Sequence, residues 1–166
     1  VCGFLFREKE RSRTIRKDMA AAWQVPVAFM QHLKAGADFV TPEGKVVPNR
    51  MLTVAPPPVR SYAYMTDTLF RERFAEYVRG VDLLYHEATY GRELEAVAKE
   101  NYHSTSEQAA RMAVLAGAGK LLLGHFSARY SDPSCLLPEA RAIFPETYVC
   151  TDGDVYDIPV QKRLGM

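Results

Sequence analysis

Of the four histidines in the sequence, three fall in short polar clusters whose residue types could do chemistry. Leu83-Leu84-Tyr85-His86-Glu87-Ala88-Thr89 runs an apolar stretch straight into an imidazole, a carboxylate and a hydroxyl. Thr66-Asp67-Thr68 ends another such run, and Gly124-His125-Phe126-Ser127-Ala128-Arg129-Tyr130 follows three leucines. His103-Ser104-Thr105 lies between them. Imidazole and carboxylate groups bind borderline cations and exchange protons near neutral pH. Packing does not account for titratable groups at the exits of buried strands, and we read them as one site.

Each residue also has a plainer reading. Asp67 caps a following helix by accepting from its orphan N–H groups, or it ligates and bridges cations. His86 and Glu87 are adjacent, so on a strand they point to opposite faces and only one need face the site. Glu87 suits the task of orienting an imidazole; equally, the two form a buried, satisfied polar pair. His103 precedes Ser104-Thr105-Ser106-Glu107, which predicts a capping box with Ser104 as N-cap and Glu107 at the third helical position. The positive helix start suits an approaching phosphate. A carboxylate partner, for which Glu87 is the candidate, favours the protonated imidazole that a general acid needs. His125 is either a satisfied core histidine or a metal ligand. Arg129 suits a phosphate or a structural carboxylate. His32 takes no role.

The elements that must hold these groups change character along the chain. Val1–Arg7 reads as a strand, 15–23 and 29–35 as helices, and 38–47 as a hairpin turning at Pro42-Glu43-Gly44. Pro56-Pro57-Pro58 is a stiff connector, read as a loop inside one domain. From Arg60 strand and helix alternate: strands at 62–65, 81–85, 121–123 and 148–150, helices at 69–78, 93–99, 105–116 and 136–143. A strand over 155–160 pairs with the one before it. Alternation of this kind predicts an α/β layered sheet, with ligands at the carboxyl ends of the strands.

Composition bounds the rest. The chain of 166 residues is 48% hydrophobic and 25% charged, values of a globular domain. A formal net charge of +1 does not announce a nucleic-acid binder, although charge can be locally concentrated. Arg7, Lys9, Arg11, Arg13, Arg16 and Lys17 form the one dense basic run, diluted by Glu8 and Glu10. Cys2, Cys135 and Cys150 are an odd set without CxxC spacing, which argues against a disulfide framework or thiolate zinc site and for a reducing cytoplasm. No apolar run approaches the roughly 20 residues that span a bilayer, so no membrane partner is expected.

Taken jointly, Thr66-Asp67-Thr68, His86-Glu87-Ala88-Thr89, His103-Ser104-Thr105 and the His125–Tyr130 run resemble ribonuclease Z. This is the tRNA 3′-processing endonuclease family of the metallo-β-lactamase fold. Gly3-Phe4-Leu5-Phe6, Glu139-Ala140-Arg141 and Phe144-Pro145 add to the likeness. The resemblance implies a two-zinc site that cuts precursor tRNA after the discriminator nucleotide. It implies that Asp67 bridges the zinc ions, that His125 ligates one, and that His103, supported by Glu87, protonates the leaving 3′ oxygen. His86, Ser127 and Arg129 would lie behind the ligands or against phosphate.

One departure from the family pattern is large. The HxHxDH motif, which supplies most zinc ligands, is not in this sequence, and no two of its histidines have ligand spacing. The arm that grips the tRNA elbow is not recognisable either. The expectation is therefore the C-terminal half of a metallo-β-lactamase αββα sandwich, as one partial domain over residues 1–166 that opens directly on a strand. Its zinc would be partial and its activity would wait for the N-terminal half. An uncovered inner sheet face would favour a homodimer. The alternatives are a phosphodiesterase or arylsulfatase of the same fold, or a non-catalytic half-domain for oligomerisation or RNA contact.

Overall fold

The structure is a computed structural model and describes residues 3–160; Val1 and Cys2, placed in the first expected strand, lie outside them. The described residues divide into two compact units, one of 3–8 with 60–159 and one of 9–59 with Val160. The first unit opens with β1 (Phe4–Arg7). The chain then builds the second unit and returns at Arg60, directly after the Pro56-Pro57-Pro58 connector.

In the second unit β2 (Thr14–Ile15) and β5 (Thr53–Val54) pair antiparallel. Between them lie α1 (Lys17–Ala22), α2 (Met30–Lys34), the hairpin of β3 (Phe39–Val40) and β4 (Val46–Val47), and α3 (Asn49–Leu52). Ala20, Val25, Leu33, Phe39, Val47 and Leu52 make its core. Buried Asn49 staples it: Nδ2 donates to the carbonyls of Leu33 and Ala37 at 2.9 and 2.8 Å. The expected hairpin is present, and the expected first helix is shorter than 15–23.

The first unit is a five-stranded sheet in the order β1-β6-β7-β8-β9, with β6 (Ser61–Met65), β7 (Leu83–Glu87), β8 (Lys120–Gly124) and β9 (Thr147–Val149). β1 runs antiparallel to β6 and the remaining pairs are parallel. Parallel neighbours need crossovers: a 3₁₀ segment, Glu72–Glu76, between β6 and β7, α4 (Glu95–Glu100) with α5 (Ser106–Ala116) between β7 and β8, and α6 (Leu137–Ile143) between β8 and β9. Ala63, Met65, Leu84, Leu121 and Leu123 face the helices and join Ala109, Met112, Ala113 and Ala140 in one core. Alternate residues turn the other way: Phe4, Phe6, Tyr62, Tyr64 and Tyr85, with Phe4 and Phe6 55% and 56% exposed. Among the described residues no helix is long and apolar enough to cross a membrane.

Three expectations are corrected. The helix expected over 69–78 is only a 3₁₀ segment, Glu72–Glu76. Its backbone closes i+3 turns while Phe70, Phe74, Ala75 and Val78 pack on the core. The strand expected over 155–160 does not form. Thr151 and Asp154 close a local turn instead, and Tyr156 anchors by donating its hydroxyl to the Val149 carbonyl at 2.9 Å. The capping box of α5 is shifted by one residue: Thr105 is the N-cap and Gln108, not Glu107, answers it.

Candidate active site

The polar groups gather at the carboxyl ends of β6, β7 and β8, as a parallel sheet requires of any site it presents. Pairing across the sheet sets Met65, His86 and Leu123 side by side. Asp67 and His125 therefore leave β6 and β8, the two strands that flank β7, at matching depth, with Glu87 at the end of β7 between them. Both take left-handed backbone angles, φ 45° for Asp67 and 57° for His125, as does Tyr102 beside His103 at 62°. Such conformations are costly for residues other than glycine and concentrate where geometry serves function. Gly124, just before His125, has a related reason: a Cβ there would come 2.6 Å from Cζ of the Tyr85 ring.

Glu87 is fully buried and is the hub. Its Oε1 accepts from the backbone N–H of Thr68 at 2.5 Å, and its Oε2 from that of Ser104 at 3.1 Å. The Thr89 hydroxyl donates to Oε2 at 2.6 Å, and Nδ1 of His103 lies 3.1 Å from Oε1. A buried carboxylate with this many donors is well held. His86 points to the other face, into the helix-side core, where burial pushes its imidazole below the ordinary value. Its Nδ1 lies 2.7 Å from the Glu87 carbonyl.

On the open side, Nε2 of His125 lies 2.9 Å from Oδ1 of Asp67. The His103 and His125 rings sit 5.3 Å apart. Asp67, His103 and His125 each bring one ligand atom within 4.8 Å of the others, a cluster that could hold a metal ion. Asp67 does not act as the cap of a following helix, because no helix starts there. Ser127 donates its backbone N–H to the Thr89 carbonyl at 3.0 Å. The Arg129 guanidinium lies over the Tyr90 ring, 5.8 Å from its centroid.

Sequence reasoning placed Asp67, His86, Glu87, His103 and His125 together; four of them meet, whereas His86 is corrected, since it lies beside Met65 and Leu123 on the helix-packed face and is fully buried. That reasoning gave no role to Thr89, which touches Glu87, His103 and His125. The signal was available in its spacing: two residues after Glu87 near a strand end, it returns toward the same side. It also missed Tyr130, which accepts from the Gly91 N–H and donates to Glu93, both at 2.8 Å, tying the loop after β8 to the loop after β7. Glu139 braces the same corner, accepting from the Ser106 hydroxyl and the Arg92 N–H.

No protein-family profile matches the chain. Curated sequences do. A ribonuclease Z of Bacteroides thetaiotaomicron is 50% identical over 152 residues, 92% of this chain and 48% of that protein. A ribonuclease Z of Porphyromonas gingivalis is 45% identical over 150 residues, 90% of this chain and 49% of its own length. The chain thus spans about half the length of the curated relatives it matches. Among solved structures, the metallo-β-lactamase fold protein YhfI of Bacillus subtilis matches 72% of this chain and 47% of its own at a TM-score of 0.54 and 23% identity. The chain is similar over some nine-tenths of its length to about half of a ribonuclease Z, on an α/β framework of the metallo-β-lactamase fold.

Proposed function

We propose that this chain carries the proton-donating side and part of the metal-binding side of a zinc-dependent endoribonuclease that removes the 3′ trailer from precursor tRNA in the cytoplasm. The observation that carries this reading is the convergence of Asp67, His103 and His125 in front of buried Glu87. An imidazole and a carboxylate are donors that suit zinc. Asp67 and His125 would hold it. When bound, zinc supplies Lewis acidity toward a phosphoryl oxygen and lowers the cost of generating hydroxide from water.

Glu87 holds Nδ1 of His103 and so aims Nε2 outward, where it can give a proton to the leaving 3′ oxygen. Arg129, whose guanidinium lies over the Tyr90 ring, would meet a phosphate. Zinc prefers about four ligands, so these residues do not complete a two-zinc centre. The remaining ligands belong to the part of the relatives' length that this chain does not span. We also assign RNA gripping to the unit of Lys9–Val59. It interrupts two strands, β1 and β6, that are direct neighbours, and it carries Arg11, Arg13, Arg16 and Lys17.

The test is a chimera that joins this chain to the unmatched half of the B. thetaiotaomicron ribonuclease Z. It should cleave a precursor tRNA at the base of its 3′ trailer, and His103→Ala should lower the rate roughly 10²–10⁴-fold. Unchanged turnover in that variant would remove His103 from the mechanism. Hydrolysis of small phosphodiesters without cleavage of the precursor would favour a phosphodiesterase instead.

A further inference from the structure

Thr89 is buried, and its one hydroxyl lies among three ionisable side chains. Its Oγ1 is 2.6 Å from Oε2 of Glu87, 2.9 Å from Nδ1 of His125 and 3.3 Å from Nδ1 of His103; the His125 carbonyl is 3.0 Å away. A hydroxyl has one hydrogen and two lone pairs, whereas an ionised carboxylate only accepts. At 2.6 Å two bare oxygens would repel, so the hydroxyl hydrogen belongs to Glu87. What Thr89 has left for the imidazoles is lone pairs. Nδ1 of His125 must then carry a hydrogen and donate it to Thr89. That leaves Nε2 of His125 as the nitrogen turned to Oδ1 of Asp67, 2.9 Å away, where a hydrogen lies between them unless a bound cation takes its place.

We propose that Thr89 is a positioning residue that couples the two sides of the site. It fixes His125 in the form with hydrogen on Nδ1, so that Nε2 faces the cation position, and it orients the Glu87 carboxylate that holds His103. The inference rests on the site reading given above, although its test uses neither RNA nor metal. Thr89 does not touch the cation position; it acts through His125 and Glu87. A valine in its place keeps the shape and removes both the donor and the acceptor, whereas a serine keeps both.

The experiment is long-range ¹⁵N NMR of the histidine rings in the intact chain, with resonances assigned through His103→Gln and His125→Gln. In the wild type, Nδ1 of both His103 and His125 should carry hydrogen. Thr89→Val should strip it from Nδ1 of His125 while His103 keeps its own through Glu87, and Thr89→Ser should restore the wild-type pattern. A bare Nδ1 on His125 in the wild type overturns the proposal, whether or not the valine variant folds. So does a valine variant whose His125 ring is unchanged. If the pattern is as expected and the chimera still fails to cut precursor tRNA, the ribonuclease reading falls and the coupling by Thr89 stands.

Discussion

Glu87 and His103 are 16 residues apart in the chain and meet with Nδ1 of the imidazole 3.1 Å from a carboxylate that solvent does not reach. The pair exists because β7 ends where α5 begins. The backbone N–H of Ser104 reaches Glu87 at 3.1 Å, and the Ser104 hydroxyl turns the other way to donate to the Thr68 carbonyl at 2.6 Å. One carboxylate therefore ties the loops after β6 and β7 to the entry of α5.

Removing that carboxylate should cost stability as well as chemistry. Glu87→Ala leaves the N–H groups of Thr68 and Ser104 without their acceptor in a dry site. Losses of this kind run to about 3–5 kcal/mol. Glu87→Gln keeps one acceptor oxygen and should fall between the two. Urea titrations followed by circular dichroism measure this, and an alanine variant as stable as the wild type would refute the hub role.

Much of this arrangement was legible in the sequence, for a physical reason. Apolar runs such as Leu121-Leu122-Leu123 are buried strands, and polar groups directly behind them sit at the carboxyl end of the sheet. Asp67, Glu87 and His125 were placed together on that ground, and His103 by the helix start predicted just after it. The residues that local pattern misplaced are those a distant contact recruits. Ser104 has the side chain of an N-cap, but Glu87 and Thr68 claim its N–H and hydroxyl, and the cap passes to Thr105. The 69–78 segment has helical spacing, yet the packing of Phe70 and Phe74 on the core decides its path. Thr89 received no role because its histidine partners come from the entry of α5 and the end of β8, which local pattern does not bring to it.

Acid should weaken the first unit through His86. Its burial holds the imidazole below the ordinary value in the folded chain, so it stays neutral there while the unfolded chain takes up a proton below about pH 6.5. The unfolded state then binds more protons, so this contribution is complete above that pH and stability falls as pH drops below it. Unfolding should take up about one extra proton per molecule in that window. His86→Leu should flatten the slope of stability between pH 7 and 5; parallel slopes in the two proteins would show that His86 is not the group responsible.

Gly124 should tolerate no side chain. A Cβ would overlap the Tyr85 ring, which is stacked on Tyr64 with centroids 4.6 Å apart and cannot swing freely. Overpacking of this sort costs about 1–3 kcal/mol, and it would displace His125 next door. Adding Tyr85→Ala should recover part of the loss, so the double variant should be more stable than the sum of the singles predicts. Strict additivity would mean that the ring is not what excludes a side chain.

The aromatic face of the sheet should drive association. Phe4 stands opposite Tyr64 and Phe6 opposite Tyr62, Phe6 and Tyr62 stack at 5.9 Å, and both phenylalanines are more than half exposed on a strand at the sheet's edge. Adjacent exposed aromatics on an edge strand favour pairing with another surface, because burial removes apolar area from water and the strand offers unpaired backbone groups. We expect this chain by itself to be a dimer or larger by light scattering. The double variant Phe4→Ser with Phe6→Ser should shift it toward monomer while circular dichroism stays unchanged. A wild-type chain that is a well-folded monomer across the micromolar range would mean that this face does not associate.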